Sequence, residues 1–202
     1  MTTPLILASN NLHKLEELQA LFAPLNVQLI RQSDLHIMEA EEPHATFVEN
    51  ALAKARNAAA ASGMPAIADD SGLCVAALHG APGVHSAYYA AMATGQRSDA
   101  ANNQHLLNKM EGEDNRAAHL YCCLVAVKSA NDPAPLIAEG RLFGDILKSP
   151  QGENGFGYAP LLWLKDKHCS LAQLSDAEKN TVSHRSRAAA AMLELMRTVW
   201  AT

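Results

Sequence analysis

The sequence predicts an α/β protein built on a mixed β-sheet. Short apolar runs alternate with segments of helical periodicity, two capping-box signals open helices, and apolar strands follow one another near Leu120 and Ile137. The last pair suggests antiparallel neighbours and argues against a purely parallel, doubly wound sheet. With 202 residues, 49% hydrophobic and 18% charged, the chain can bury one sizeable core, as a single domain or two closely joined lobes.

Leu5 to Ala8 is a short apolar strand that ends in Ser9-Asn10-Asn11, and Leu15, Leu18, Leu21 and Phe22 then recur at helical spacing. Val27 to Ile30 reads as a second strand, followed by an irregular acidic stretch with Glu39, Glu41 and Glu42. Thr46-Phe-Val-Glu49 has capping-box spacing, and the alanine-rich segment behind it predicts a helix to about Ala61, before Ser62-Gly63. Pro65 to Ala68 is a brief strand expected to stop at Asp69-Asp70-Ser71-Gly72 and able to resume over Leu73 to Ala76. Gly80 to Gly83 is a turn, Ser98 to Met110 a helix, Leu120 to Lys128 a central strand, and Ile137 to Phe143 its continuation in the sheet. Gly152-Glu-Asn-Gly-Phe-Gly157 is a flexible loop, and the second capping box, Ser175-Asp-Ala-Glu178, is expected to open a C-terminal helix carrying Ala188 to Met196.

Composition excludes several function classes. Sixteen Lys plus Arg against 21 Asp plus Glu give a net charge of -5, with no run of like charge that could serve as a nucleic-acid arm. Leu120 to Val127, the longest apolar stretch, falls far short of the roughly 20 residues a membrane helix needs. The stretch from Met1 to Ser9 lacks the basic start of an export signal, so a cytoplasmic location is expected. Cys74, Cys122, Cys123 and Cys169 show no Cys-x-x-Cys spacing and read as reduced structural thiols. Neither a P-loop nor a zinc-ligand spacing is present.

Four clusters could carry chemistry. Ser9-Asn10-Asn11 and Lys14 lie where a strand gives way to a helix, whose free N–H groups and positive end suit phosphate; Ser9 or Asn11 could equally just cap that helix. Glu41 and Glu42, and Asp69 and Asp70, supply the oxygen ligands that magnesium prefers, although an acidic pair such as Glu41-Glu42 is more often simply solvated. Lys54, four residues after Asn50 on one helix face, and Lys179, Ser183, His184 and Arg185 offer donors for phosphate or carbonyl oxygens, or form plain surface. Phe156, flanked by glycines, has room to stack on a planar base, and the alternative for Phe156 and nearby Tyr158 is a core aromatic at a strand entry.

The order of these segments closely resembles the inosine triphosphate pyrophosphatase family, including its bacterial RdgB-type enzymes. The resemblance covers nearly the whole chain, 1–202, as one domain. It is carried by Ser9-x-Asn11-x-x-Lys14, Thr46-Phe-Val-Glu-Asn50 with Lys54, Ala68-Asp-Asp-Ser-Gly72, Ala81-Pro-Gly-Val84, Gly155-Phe-Gly-Tyr158, and Glu178-Lys179 before Ser183-His-Arg185. It implies an elongated mixed sheet flanked by helices, two lobes with a nucleotide cleft between them, and a homodimer. The implied activity is magnesium-dependent hydrolysis of ITP, dITP and XTP to the monophosphate and pyrophosphate, which cleanses the nucleotide pool of deaminated purines.

Carried over by position, Asp70 resembles the catalytic carboxylate, as magnesium ligand or proton acceptor, with Glu42 and then Glu41 as further metal carboxylates. Ser9, Asn10, Asn11, Lys14 and Lys54 would hold the triphosphate, and Ser71 would add a hydrogen bond. Phe156 would stack on the purine beside Gly157 and Tyr158, while Lys179, His184 and Arg185 would line the base and the adjacent phosphate. Donors facing the purine 6-position would accept a carbonyl and leave the amino group of adenine unmatched. The chain departs from the family pattern in three places. Asn10 replaces a common glycine, Tyr88 a common arginine, and Ala159 the aspartate that usually follows Gly-Phe-Gly-Tyr. The loss of that aspartate leaves two alternatives open: a nucleotide-binding protein with weak turnover, or a pyrophosphatase with altered base choice.

Overall fold

The computed structural model describes residues 3–25, 27–95 and 97–200. Met1 and Thr2, the start of the stretch read for an export signal, lie outside them. In chain order the elements are β1 (Thr3–Leu7), α1 (Leu12–Phe22), β2 (Val27–Arg31), α2 (Phe47–Ser62), β3 (Ala66–Val75), α3 (Ala91–Thr94) and α4 (Asp99–Lys109). They continue with β4 (Ala117–Val127), β5 (Leu136–Ile146), β6 (Leu162–Leu164), β7 (Cys169–Ser170), α5 (Asp176–Val182) and α6 (His184–Leu195). The strands form a seven-stranded sheet in the order β2-β1-β3-β4-β5-β6-β7. β1 runs parallel to both β2 and β3, whereas β6 is antiparallel to β5 and β7, so the sheet is mixed as predicted. None of the described helices is long and apolar enough to cross a membrane.

The start signals read from the sequence operate as expected. The Thr46 hydroxyl accepts the Glu49 backbone N–H at 3.4 Å and donates to the Glu49 carboxylate at 2.5 Å, fixing the start of α2. The Ser175 backbone N–H donates to Glu178 at 2.9 Å while the Glu178 N–H donates to the Ser175 hydroxyl at 3.3 Å, closing a full capping box on α5. In α2, Ala51, Ala55, Ala58 and Ala59 recur at helical spacing and are buried, so the helix packs through methyl groups with its backbone close to what it covers.

Three expectations need correction. β3 does not stop at Asp69 but runs unbroken through Asp69-Asp70-Ser71-Gly72 to Val75, because both carboxylates find cationic partners and need no solvent. The C-terminal helix is two helices: Ser183 takes an extended conformation (φ -65°, ψ 158°), ending α5 at Val182 and placing His184 at the first turn of α6. The short strands β6 and β7 went unforeseen, since two or three residues are too few to show alternation.

The chain divides into two compact units. The first takes the stretch up to Asp70, Cys122–Gly140 and the chain from His184 onward. Its core gathers Leu7, Leu18, Phe22, Ile67, Leu124 and Met192. The second takes Ser71–Tyr121 and Arg141–Ser183, with a core of Leu73, Leu106, Met110, Leu161, Leu162 and Leu171. Within the first unit β5 meets α6 closely at Gly140, where an added Cβ would lie 2.0 Å from the His184 carbonyl oxygen and 2.7 Å from the Ala188 nitrogen. The glycine therefore sets how near the first turn of α6, with His184 and Arg185, approaches the sheet.

Candidate active site

In the first unit, β1 ends in a turn whose own side chains shape it. The Ser9 hydroxyl accepts the Asn11 N–H at 3.2 Å, and the Asn11 side chain accepts the Lys14 N–H at 3.2 Å as N-cap of α1. Asn10 is exposed beside them. Capping, the plainer of the two roles considered for Asn11, is thus realised, and Asn11, Leu12 and His13 at the positive end of α1 are exposed. From the first turn of α1, Lys14 reaches β3, where its ammonium lies 2.6 Å from Asp69 Oδ1.

β3 delivers Asp69 and Asp70 side by side, and strand alternation sends their side chains to opposite faces. Asp69 is fully buried, and its Oδ2 accepts Arg185 Nε at 2.7 Å. Burial alone would raise its carboxyl, but Arg185 and Lys14 hold it well below the usual carboxylate range. Asp70 faces Lys54 from α2, with Oδ1 at 2.7 Å, and Lys54 also lies 3.1 Å from Glu42 Oε2. Here burial prevails over the attraction of Lys54, and the carboxyl is pushed up to about 6. Asp70 Oδ2 is buried and has no hydrogen-bond partner.

The acidic stretch that carries Glu42 is pinned to α2 by asparagines. Asn50 accepts the His44 N–H at 3.0 Å and donates to the His44 carbonyl at 3.3 Å, and Asn57, two turns on, donates to the Met38 carbonyl at 2.8 Å. Glu41 is exposed, and it is Glu42 that meets Lys54 beside Asp70. Asn50 and Asn57 were not singled out as site residues, although their spacing with Lys54 along one helix was visible. A divalent cation could be held by Asp70 and Glu42. Among the described residues no group of three or more His, Cys, Asp or Glu side chains could hold one, so the rest of its shell would come from water and phosphate, as magnesium commonly accepts.

From the first turn of α6, Arg185 is buried, pairing through Nε with Asp69 and through Nη1 with Glu17 of α1 at 2.6 Å. His184 is buried with Nδ1 unpartnered; burial, then the neighbouring Arg185, pushes its imidazole down to about 3, so it is neutral at physiological pH.

In the second unit, Phe156 is half-buried between Gly155 (φ 99°) and Gly157 (φ 63°), whose left-handed angles a side chain would resist. The Gly157 N–H donates to Asp99 at 2.6 Å and its carbonyl accepts from Asn103 at 3.1 Å, one turn apart on α4. Tyr158 is buried, its hydroxyl donating to the Ser86 carbonyl at 2.8 Å and pushed by burial well above its ordinary range, so it ties the loop to the core. The Lys179 ammonium pairs with Asp176 at 2.6 Å. It lies 3.5 Å from the point where a Cβ on Gly155 would sit, and the Ala159 methyl is 3.5 Å from the same point. Ser71, first of this unit on β3, is half-buried. Asp99 and Asn103 are further residues that sequence reasoning did not single out.

The model of the Ham1 family matches residues 5–195. The chain belongs to the Ham1 family. Among Ham1 relatives, a Bordetella pertussis protein named dITP/XTP pyrophosphatase is 55% identical over 192 residues, covering 95% of this chain and 90% of the relative. A Leptothrix cholodnii protein of the same name is 54% identical, with 97% and 98% covered. The structure of a HAM1 protein from Coxiella burnetii superposes with a TM-score of 0.91 at 40% identity, covering 98% of this chain and all of that one. These likenesses extend to both units of the Ham1 fold described above.

Proposed function

We propose that this chain hydrolyses deaminated purine nucleoside triphosphates, ITP, dITP and XTP, to the monophosphate and pyrophosphate, with magnesium as cofactor. One observation carries the reading: Asp70 presents a buried, unpartnered Oδ2 from a carboxyl poised near 6, beside a lysine and a second carboxylate. A carboxylate of that character can hold a water molecule and take its proton as the water oxygen bonds to phosphorus and the α–β anhydride opens. Magnesium, when bound at Asp70 and Glu42, with Glu41 as a further candidate, would withdraw charge from the phosphates. Lys54 and Lys14, with Ser9, Asn10 and Asn11, hold the triphosphate and offset the charge gathering on the leaving pyrophosphate. Ser71 adds a hydrogen bond. Phe156 stacks on the purine beside Gly157 and Tyr158, and Lys179 and His184 serve the base and its adjacent phosphate, while Arg185, buried and paired with Asp69 and Glu17, acts through those carboxylates and not on the base as the resemblance implies.

The names borne by the relatives, dITP/XTP pyrophosphatase, support the substrate class. Base choice has a physical basis in this proposal. A site that presents donors to a 6-carbonyl leaves them unmatched by the amino group of adenine. The neutral imidazole of His184 has one N–H to contribute. A homodimer acting on the cytoplasmic nucleotide pool completes the proposal, and light scattering with a calibrated mass checks the oligomer.

The deciding experiment is pyrophosphate release from ITP, XTP, GTP and ATP, in magnesium and in chelator. Magnesium-dependent release from ITP and XTP, well ahead of ATP, is expected. Release in chelator at the same rate would remove the metal, and no release from ITP or XTP would remove the activity. Ala159 favours one second reading, an altered base preference, because it puts a buried methyl near Lys179 where the family pattern has a carboxylate. A pyrimidine triphosphate turned over faster than ITP would select it.

A further inference from the structure

We propose that Asp69, which has no role of its own in the mechanism above, is a positioning residue that holds the Lys14 ammonium where the phosphates meet it. The proposal rests on the phosphate role given to Lys14. The Asp69 side chain has no exposed surface, so it cannot touch a substrate and can act only through its neighbours. It brackets the lysine twice, with Oδ1 at 2.6 Å and its main-chain carbonyl oxygen at 3.3 Å from Lys14 Nζ. Its second oxygen is occupied by Arg185 Nε at 2.7 Å and by the Cys122 thiol at 3.4 Å.

Arg185 in turn pairs with Glu17, three residues beyond Lys14 on α1. Lys14, Asp69, Arg185 and Glu17 therefore form a chain of three ion pairs that leaves α1 at Lys14, passes through β3 and α6 and returns to α1 at Glu17, all within the first unit. The two inner members are shut away from solvent and the two outer ones reach it: the Asp69 side chain is 0% and Arg185 3% exposed, Lys14 15% and Glu17 29%. A lysine is a point charge on a flexible four-carbon stem, and left alone it would sample many rotamers. Paired to a buried carboxylate, it meets the phosphates from one place, at the positive end of α1, with little freedom left to lose. Glu17 and Arg185 hold Asp69 from behind.

The test is a double-mutant cycle of Asp69→Asn and Lys14→Met, read in two assays. For ITP hydrolysis, Asp69→Asn is expected to raise KM on the order of tenfold with kcat much less affected. In the Lys14→Met background the same change should add less than about twofold, because its route of action is already gone. Losses that multiply, as a general weakening of the fold would give, overturn the proposal. Calorimetric binding of inorganic tripolyphosphate supplies the second assay and needs neither base nor turnover. The same failure of the two losses to multiply is expected there. A protein that binds tripolyphosphate through this pair but leaves ITP intact defeats the proposed activity and keeps the positioning role. Active enzyme whose KM and tripolyphosphate affinity ignore Asp69→Asn does the reverse. Should Asp69→Asn fail to fold, the unsubstituted protein decides. An ammonium NMR signal shielded from water exchange, and missing in Lys14→Met, is expected, and its absence overturns the proposal.

Discussion

Asp69 and Asp70 are consecutive on β3, yet they are held by different cations and titrate in opposite directions. Lys14 and Arg185 keep Asp69 ionised, while burial lifts Asp70 to about 6 despite Lys54. Environments that drive two neighbouring carboxyls apart divide the labour between them: one is a fixed charge, the other can exchange a proton near neutrality.

Asp70→Asn is therefore expected to lower kcat for ITP by about 10²- to 10⁴-fold, the usual contribution of a positioned base, with the fold retained. Single-turnover pyrophosphate release and circular dichroism check it. A loss below tenfold in a folded variant would take Asp70 out of the chemistry.

Acid stability reports on His184. Its imidazole is lowered from the ordinary 6.5 to about 3, so both folded and unfolded chains carry it neutral above 6.5. As the pH falls below 6.5, the unfolded chain takes up a proton that the folded one refuses. Stability is then lost at up to about 1.4 kcal/mol per pH unit until the folded imidazole titrates. Urea unfolding of the protein and of His184→Gln between pH 7 and 4 should show the variant losing less on acidification; parallel curves would mean that the buried imidazole takes its proton readily.

Gly140→Ala should destabilise by about 1–3 kcal/mol or more, since its methyl would meet the backbone of α6 rather than the end of a flexible side chain. Thermal melts measure the loss. Activity should fall with it, because His184 and Arg185 ride on that turn; an unchanged melting temperature would show that β5 and α6 separate at little cost.

Ala159→Asp introduces a carboxylate near Lys179, in competition with Asp176. Specificity constants for ITP against GTP are expected to shift several-fold, with the Lys179→Met background abolishing the shift. An identical substrate profile would mean that the methyl and the carboxylate are equivalent here.

Asp99→Ala and Asn103→Leu release the two atoms of Gly157 that α4 holds. If that grip presents Phe156 to the purine, each variant raises KM for ITP a few-fold to tenfold, in line with partial loss of base stacking, and leaves tripolyphosphate affinity alone. A matching drop in tripolyphosphate affinity would place the effect elsewhere.

How much of this was legible beforehand depended on the range of the forces involved. The starts of α1, α2 and α5 were readable because Asn11, Thr46 and Ser175 act on residues three positions away. The mixed sheet was readable from β4, whose apolar run is long, and from β5, which follows it closely and alternates buried with exposed residues. The continuity of β3 was not, because the acidic pair looks like a turn until Lys14, Lys54 and Arg185, from 16 to 116 positions away in sequence, are seen to neutralise it. The clusters around Asp70 were recognisable as types of residue in an order. Which oxygen faced which cation, and that Asp99, Asn103, Asn50 and Glu17 hold the others in place, depended on tertiary contacts with no local signature.

The alanine face of α2 makes a chemical map and a mutational map of this protein diverge. Ala55 adjoins Lys54 and has no functional group at all, yet it is completely enclosed. Anything larger there must push away the helix that supplies the lysine. In a saturation survey scored by growth or turnover, such positions would rank beside the ionic residues they support, and a reader of the scores alone would count methyl groups among the catalytic apparatus.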